Sequence, residues 1–142
     1  QVLLETGGAV YPRITDIGKR LLLKKILDAR QKELAVFGRA AGQRGFTDTL
    51  AAAIEELKSY GIAADRLAPV IQRLTDQNLQ AKLQDLSLLY EDFSAAMQGR
   101  YTDAEDTLEA LARQLPSAHL LDGAEVWLDG FVFFNPQEKK IL

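Results

Sequence analysis

The chain has no cysteine, one histidine and one tryptophan in 142 residues, and these shortages remove whole classes of chemistry before any motif is sought. Without cysteine there is no disulfide, zinc ribbon, iron–sulfur cluster or thiol nucleophile, and a reducing cytoplasm fits that usage. The lone His119 has no second histidine near it, so neither a metal site nor a Ser-His-Asp or Cys-His set can be assembled around it. No apolar run approaches the roughly 20 residues of a membrane-spanning helix. Residues 1–10, QVLLETGGAV, lack both the basic n-region and the sustained apolar h-region of a secretory signal. A soluble chain with no membrane partner is expected. A phosphate-binding loop is missing too. Arg13 stands five positions before Gly18, where such a loop needs glycine, and Arg20 stands where Ser or Thr would hold magnesium. The chain starts without Met and residues 139–142 read as the middle of a helix, so a piece of a larger protein is expected.

What is present is a core-forming composition, 47% hydrophobic, with an uneven charge. The net charge of −3 hides a basic stretch over residues 1–45, with nine Lys/Arg against four Asp/Glu, on an acidic remainder with eight against sixteen. Local positive charge is what neutralising a phosphate backbone requires. Lys19, Arg20, Lys24 and Lys25 recur within two helical turns, and Arg39 and Arg44 can form a second patch. Lys24 and Lys25 point about 100° apart, so all four cannot line one groove. The plainer reading of each is a solvated helix face.

The pattern predicts a string of helices. Thr15 caps the first, running to about Ala29 with Ile17, Leu21 and Leu27 among its apolar positions; a second spans about Gln31 to Gln43 and is broken by Gly42 and Gly45. Thr47 starts a third that places Leu50, Ile54 and Leu57 on one face, and Gly61 followed by Ile62 gives a left-handed stop. A short fourth lies over 65–74 with Pro69 in its first turn or at a kink. Leu79, Leu83, Leu86, Tyr90, Phe93 and Met97 step by 4-3-4-3-4 along a fifth, which ends at Gly99. Thr102 and Glu105 make a capping box for a sixth that Pro116 stops. The acids Glu55-Glu56, Glu91-Asp92 and Asp103/Glu105/Asp106 fall on helix faces or starts, where they favour the dipole or face water.

From residue 123 the pattern changes. Residues 124–128 run apolar except for Glu125, Asp129 closes the run, Gly130 follows, and a new helix is expected near Asn135–Pro136. A strand delivering an Asp to its carboxyl end is how nucleotide-binding sheets offer an acid to a metal-bound phosphate; an edge strand whose Asp starts a turn is the alternative. The fold class is therefore mainly α, a bundle-like subdomain of about six helices over residues 1–122. A C-terminal strand, a loop and a truncated helix follow over 123–142, and their pairing partners should lie in other chain.

The runs ETGGAVYPRITDIGKRLLLKKIL, GRYTDAEDTLEALARQLP and EVWLDGFVFFNPQE resemble the AddB family, the B subunits of bacterial AddAB helicase-nucleases that resect DNA double-strand breaks, and the likeness spans essentially the whole chain. It implies that the helical part corresponds to the 1B insertion of a superfamily 1 helicase, and that 126–129 is a strand returning to an α/β domain 1A. Active motors carry D-E-x-Q-D-x-x-P-x-Q at this point. Its first Asp falls on Asp129 and its Pro on Pro136, but the water-polarising Glu falls on Gly130, the Gln on Val132 and the second Asp on Phe133. The resemblance thus implies a degenerate Walker B-like site at Asp129 and Gly130, with no general base for ATP hydrolysis and no catalytic residue in this stretch. It further implies single-stranded DNA and the AddA subunit as partners, and a role in holding the strand and scanning for the Chi sequence. Mg2+, ATP and a cysteine-bound iron–sulfur cluster belong to other parts of the full protein, none being expected in this fragment.

Aromatic residues replace the lost ones. Phe131, Phe133 and Phe134 follow the expected strand, and exposed Phe stacks on unpaired bases at about 1–3 kcal/mol each; packing against another domain is the alternative. Without the resemblance, the chain reads as a helical protein–protein interaction module, binding through the fifth helix or the C-terminal strand. An independent enzyme fits least, for want of a catalytic set.

Overall fold

The computed structural model describes residues 11–119 and 122–142. Residues 1–10, which include the first six residues of the ETGGAVYPRITDIGKRLLLKKIL run, and residues 120–121 lie outside the described residues. Helix α1 (Asp16–Arg30) begins as expected at Thr15, whose hydroxyl accepts the Gly18 N–H at 3.1 Å. Its inward row is Lys19, Leu23 and Leu27. Ile17 and Leu21, expected on the apolar face, are instead 69% and 66% exposed. The row differs because Glu55 neutralises Lys19, so a lysine can occupy a position otherwise reserved for an apolar side chain.

The expected second helix over residues 31–43 shrinks to one turn, α2 (Phe37–Ala40). The buried carboxylate of Asp85 accepts the N–H groups of Ala35, Val36 and Phe37 at 2.9, 2.8 and 2.8 Å, so those donors do not reach carbonyls one turn back. Helix α3 (Phe46–Ser59) starts after Gly45, and Phe46 meets Phe37 edge-on with ring centroids 5.2 Å apart. It stops as expected. Gly61 takes φ +70°, its N–H bonds the Lys58 carbonyl at 2.8 Å and the Ile62 N–H bonds that of Leu57 at 2.8 Å, which is the two-bond Schellman closure.

A 3-10 turn (Ala64–Arg66) leads into α4 (Leu67–Ile71), with Pro69 in the first turn, where its missing N–H costs nothing. Helix α5 (Gln77–Met97) is the spine, about 30 Å long. Asp76 caps it, accepting from Asn78 and Leu79. Of the expected stripe, Tyr90, Phe93 and Met97 are buried, Leu83 and Leu86 are partly so, and Leu79 is exposed. Helix α6 (Ala104–Gln114) is capped by Asp103, which accepts the Asp106 N–H at 2.8 Å, and not by Thr102. Thr102 is held back because its backbone forms a parallel bridge with Arg13, through Ile14 N–H to Thr102 O at 2.9 Å and Thr102 N–H to Pro12 O at 3.1 Å.

Helix α1 packs on α3 and α5, α4 on α5, and α3 on α6. Leu23, Leu27, Ile54, Leu89 and Phe93 are almost fully buried at the centre, each contributing about 1.5–3 kcal/mol of burial free energy. The mainly helical class is what the sequence predicts. No strand forms over 124–128; those residues are exposed and unpaired, since a ladder needs a neighbouring strand and the Arg13–Thr102 bridge is the sole pairing outside helices among the described residues. In place of the expected helix near Asn135–Pro136 there is a 3-10 turn, Glu138–Lys140.

Candidate nucleic-acid interface

The turn at the C-terminal end is firmly anchored. Asn135 and Glu138 cap each other reciprocally, with Asn135 N–H to Glu138 Oε2 and Glu138 N–H to Asn135 Oδ1 both 2.8 Å. Gln137, buried to 3% exposure, donates its amide to the Glu105 carbonyl in the first turn of α6 at 2.6 Å. Lys140 pairs with Glu109 at 3.1 Å. These bonds tie residues 135–140 to α6. The segment before them faces outward: Trp127 is 87% exposed, Phe131 61% and Phe133 69%.

That segment presents flat, wet aromatic faces. Phe131 and Phe134 stack with centroids 4.6 Å apart and planes 27° from parallel, and the Lys139 ammonium lies 5.7 Å from the Phe133 ring centre. Gly130 has φ +76°, a left-handed bend that turns the chain between Asp129 and Phe131. Rings with an adjacent cation match the chemistry of unpaired bases on a phosphate backbone.

The basic residues named from the sequence separate into three groups. Lys19 is buried and paired with Glu55; burial alone would lower its pKa, but Glu55, with Asp103 and Glu105 farther off, raises it, so it is a charged structural residue. Arg20 pairs with Asp48 at 2.8 Å and Lys24 with Asp28 at 2.6 Å, all four side chains being half exposed. Of the basic residues named from the sequence, Lys25, Arg39 and Arg44 are exposed and have no ion-pair partner among the described residues. The sequence also named residues of the degenerate acid site, and Asp129 and Gly130 are both exposed.

No group of three His, Cys, Asp or Glu side chains suited to a metal occurs among the described residues, and a sequence without cysteine supplies no thiolate to an iron–sulfur cluster. His119 pairs with exposed Asp122 at 2.9 Å. No helix among the described residues is long and apolar enough to cross a membrane.

Sequence reasoning missed a buried ionic cluster. Lys58 of α3 bonds Asp103 at 2.5 Å and Asp106 at 2.6 Å. Burial would raise the pKa of Asp103, but Lys58 and the Asp106 N–H lower it below the usual carboxylate value. The nearby Tyr90 hydroxyl donates to the Ile62 carbonyl at 3.1 Å, and burial, followed by the charges of Asp106, Asp103 and Asp65, pushes its pKa up to about 12. The acids at 103, 105 and 106 were visible as a helix start; the partner that Asp103 and Asp106 share on α3, Lys58, was not.

Along all of residues 1–142, the chain matches the family described as ADDB, N-terminal. Proteins named as B subunits of an ATP-dependent helicase/deoxyribonuclease are similar to it throughout. That of Desulforudis audaxviator is 47% identical over 147 residues, covering 100% of this chain and 12% of that protein. That of Desulforamulus reducens is 45% identical, covering 100% of this chain and 13% of the relative, and one from Bacillus cereus is 40% identical, again covering all of this chain and 13% of the relative. The chain thus spans about one-eighth of the length of the curated relatives it matches. With the whole chain matched and identities of this order, it belongs to the AddB N-terminal family.

Proposed function

We propose that this chain is the catalytically degenerate, helicase-like part of a cytoplasmic AddB protein that processes DNA double-strand breaks for recombinational repair, and that it helps to hold single-stranded DNA and scan it for Chi. The observation that supports the reading is the exposure of Trp127, Phe131 and Phe133, in a segment that the family resemblance aligns with the hydrolytic acids of an active motor. In this reading Phe131 and Phe133 stack on bases, Lys25, Arg39 and Arg44 meet phosphates, and Asp129 is the residue of a former magnesium acid. The helical body corresponds to subdomain 1B, and residues 124–128 join the sheet of domain 1A when that sheet is beside them. AddA supplies the motor, with Mg2+ and ATP, and the iron–sulfur cluster lies in another part of AddB. The test is replacement of Phe131 and Phe133 by Ala in the full complex. Strand affinity should fall by about tenfold or more and the Chi response should weaken, with ATP hydrolysis unchanged. Unchanged strand binding and Chi response would refute the reading.

A further inference from the structure

Between residues 122 and 142 one side chain is buried, and it is polar: Gln137, at 3% exposure. Residues 122–133 are exposed throughout, and among the described residues no hydrogen bond or ion pair joins 123–134 to the helical body. The aromatic segment is therefore held at its ends. At the C-terminal end two side-chain links join the turn at 135–140 to α6, the Gln137 amide to the Glu105 carbonyl at 2.6 Å and Lys140 to Glu109 at 3.1 Å. The two are unequal. The Lys140 and Glu109 side chains are 50% and 35% exposed, so water and salt screen their attraction. The Gln137 side chain is shielded from water, and its acceptor is a main-chain carbonyl fixed in the first turn of α6.

The turn passes this hold on to the rings. The reciprocal caps of Asn135 and Glu138, the Lys139 N–H on the Asn135 carbonyl at 3.0 Å and the Lys140 N–H on the Gln137 carbonyl at 3.2 Å make 135–140 one unit. Phe134 directly precedes that unit and stacks on Phe131, and Lys139 within it lies over Phe133. Both outward rings are thus tied to Gln137. We propose that Gln137 is the positioning residue of the aromatic segment: its amide clamps the turn to α6 and so fixes where Phe131 and Phe133 stand relative to the helical body. The inference rests on the strand-holding reading and adds to it a residue that acts through the rings without touching the strand. When the clamp is absent the rings keep their chemistry and lose their place, and ordering them on binding weakens affinity.

The test uses the full complex with Gln137→Met, which keeps the length of the side chain and removes its donor. A single turn does not hold its own bonds in water, so release from α6 also opens the turn. Hydrogen exchange at the amides of 135, 138, 139 and 140 should quicken about fivefold, the effect of losing one hydrogen bond, with α1, α3 and α5 unchanged. Affinity for a single-stranded oligonucleotide should fall by about the same factor. Lys140→Met removes the screened pair alone and should change either quantity by less than about twofold. In a Phe131→Ala/Phe133→Ala background Gln137→Met should lower affinity no further, because a residue that acts through the rings has nothing left to position; a residue that merely stabilises the fold would lower it equally in both backgrounds. Exchange unmoved by Gln137→Met, exchange quickened as much by Lys140→Met, or equal affinity losses in both backgrounds overturns the proposal. Affinity lowered by the phenylalanine replacements but not by Gln137→Met overturns the proposal and leaves the strand-holding reading in place. Affinity indifferent to the phenylalanine replacements refutes that reading, and the proposal with it.

Discussion

Replacing Asp103 removes two supports at once, and two substitutions separate them. The side chain is 2% exposed; one oxygen caps α6 through the Asp106 N–H at 2.8 Å and the other meets the Lys58 ammonium at 2.5 Å. Loss of a cap costs about 1 kcal/mol. Breaking a buried ion pair costs about 3–5 kcal/mol when the other charge is stranded, but Lys58 keeps Asp106 at 2.6 Å, so about 2–3 kcal/mol is expected. Asp103→Ala should therefore destabilise by about 3–4 kcal/mol, lowering the urea midpoint by about 1.5–2 M at a slope near 2 kcal/mol/M. Asp103→Asn keeps an acceptor for the cap and should lose only the ionic part, about 2–3 kcal/mol. The pH dependence supplies a second check. Because the folded pKa of Asp103 lies below its ordinary value of 3.8, its stabilisation is present above about pH 4 and is lost as the pH falls further. The acid limb should flatten in both variants. A midpoint shift under about 0.5 M for Asp103→Ala, or an acid limb unchanged in Asp103→Asn, would refute the reasoning.

Asp85→Ala strands three backbone N–H groups between α1 and α2. It should cost about 3–5 kcal/mol and speed hydrogen exchange at Ala35, Val36 and Phe37 more than elsewhere. Stability should also fall as the pH rises above about 10, since Tyr90 titrates near 12 when folded and near 10 when unfolded. Tyr90→Phe should flatten that alkaline limb while losing about 1 kcal/mol at neutral pH from the bond to Ile62. Gly61→Ala forces a side chain into φ +70°, and thermal unfolding should show a loss of about 1 kcal/mol.

What could be read from the sequence was local. The Thr15 cap, the Gly61-Ile62 stop, Pro69 in a first turn and most of the α5 stripe depend on residues within one or two turns of each other, and the chain folds as those residues dictate. What escaped depends on partners far away in sequence. Lys19 looks like a surface cation until Glu55 is placed beside it, and the row it shares with Leu23 and Leu27 is hidden from any count of apolar positions. A helix through 31–43 has acceptable residues throughout, but Asp85, some fifty residues on, takes its N–H groups. The candidate interface was legible in part: three phenylalanines after an acid and a glycine pointed to the segment that proves exposed at Phe131 and Phe133, while the sorting of cations into paired and unpaired depends on residues far away in sequence. Residues 124–128 are of the apolar kind that strands use, but among the described residues no strand lies beside them to complete a ladder.

Trp127, the sole tryptophan, sits in the aromatic segment at 87% exposure, so its fluorescence reports directly on the claim that this segment meets unpaired bases. The decisive measurement is a titration of the chain with a single-stranded oligonucleotide and its matching duplex across a salt series. Quenching by the single strand in preference to the duplex is expected, with a loss of about tenfold in affinity on Phe133→Ala. The log–log salt slope should lie near −2, as when Lys25, Arg39 and Arg44 each meet a phosphate. No quenching at low salt, or quenching indifferent to Phe133→Ala and equal for duplex, would contradict a strand-holding role for this segment.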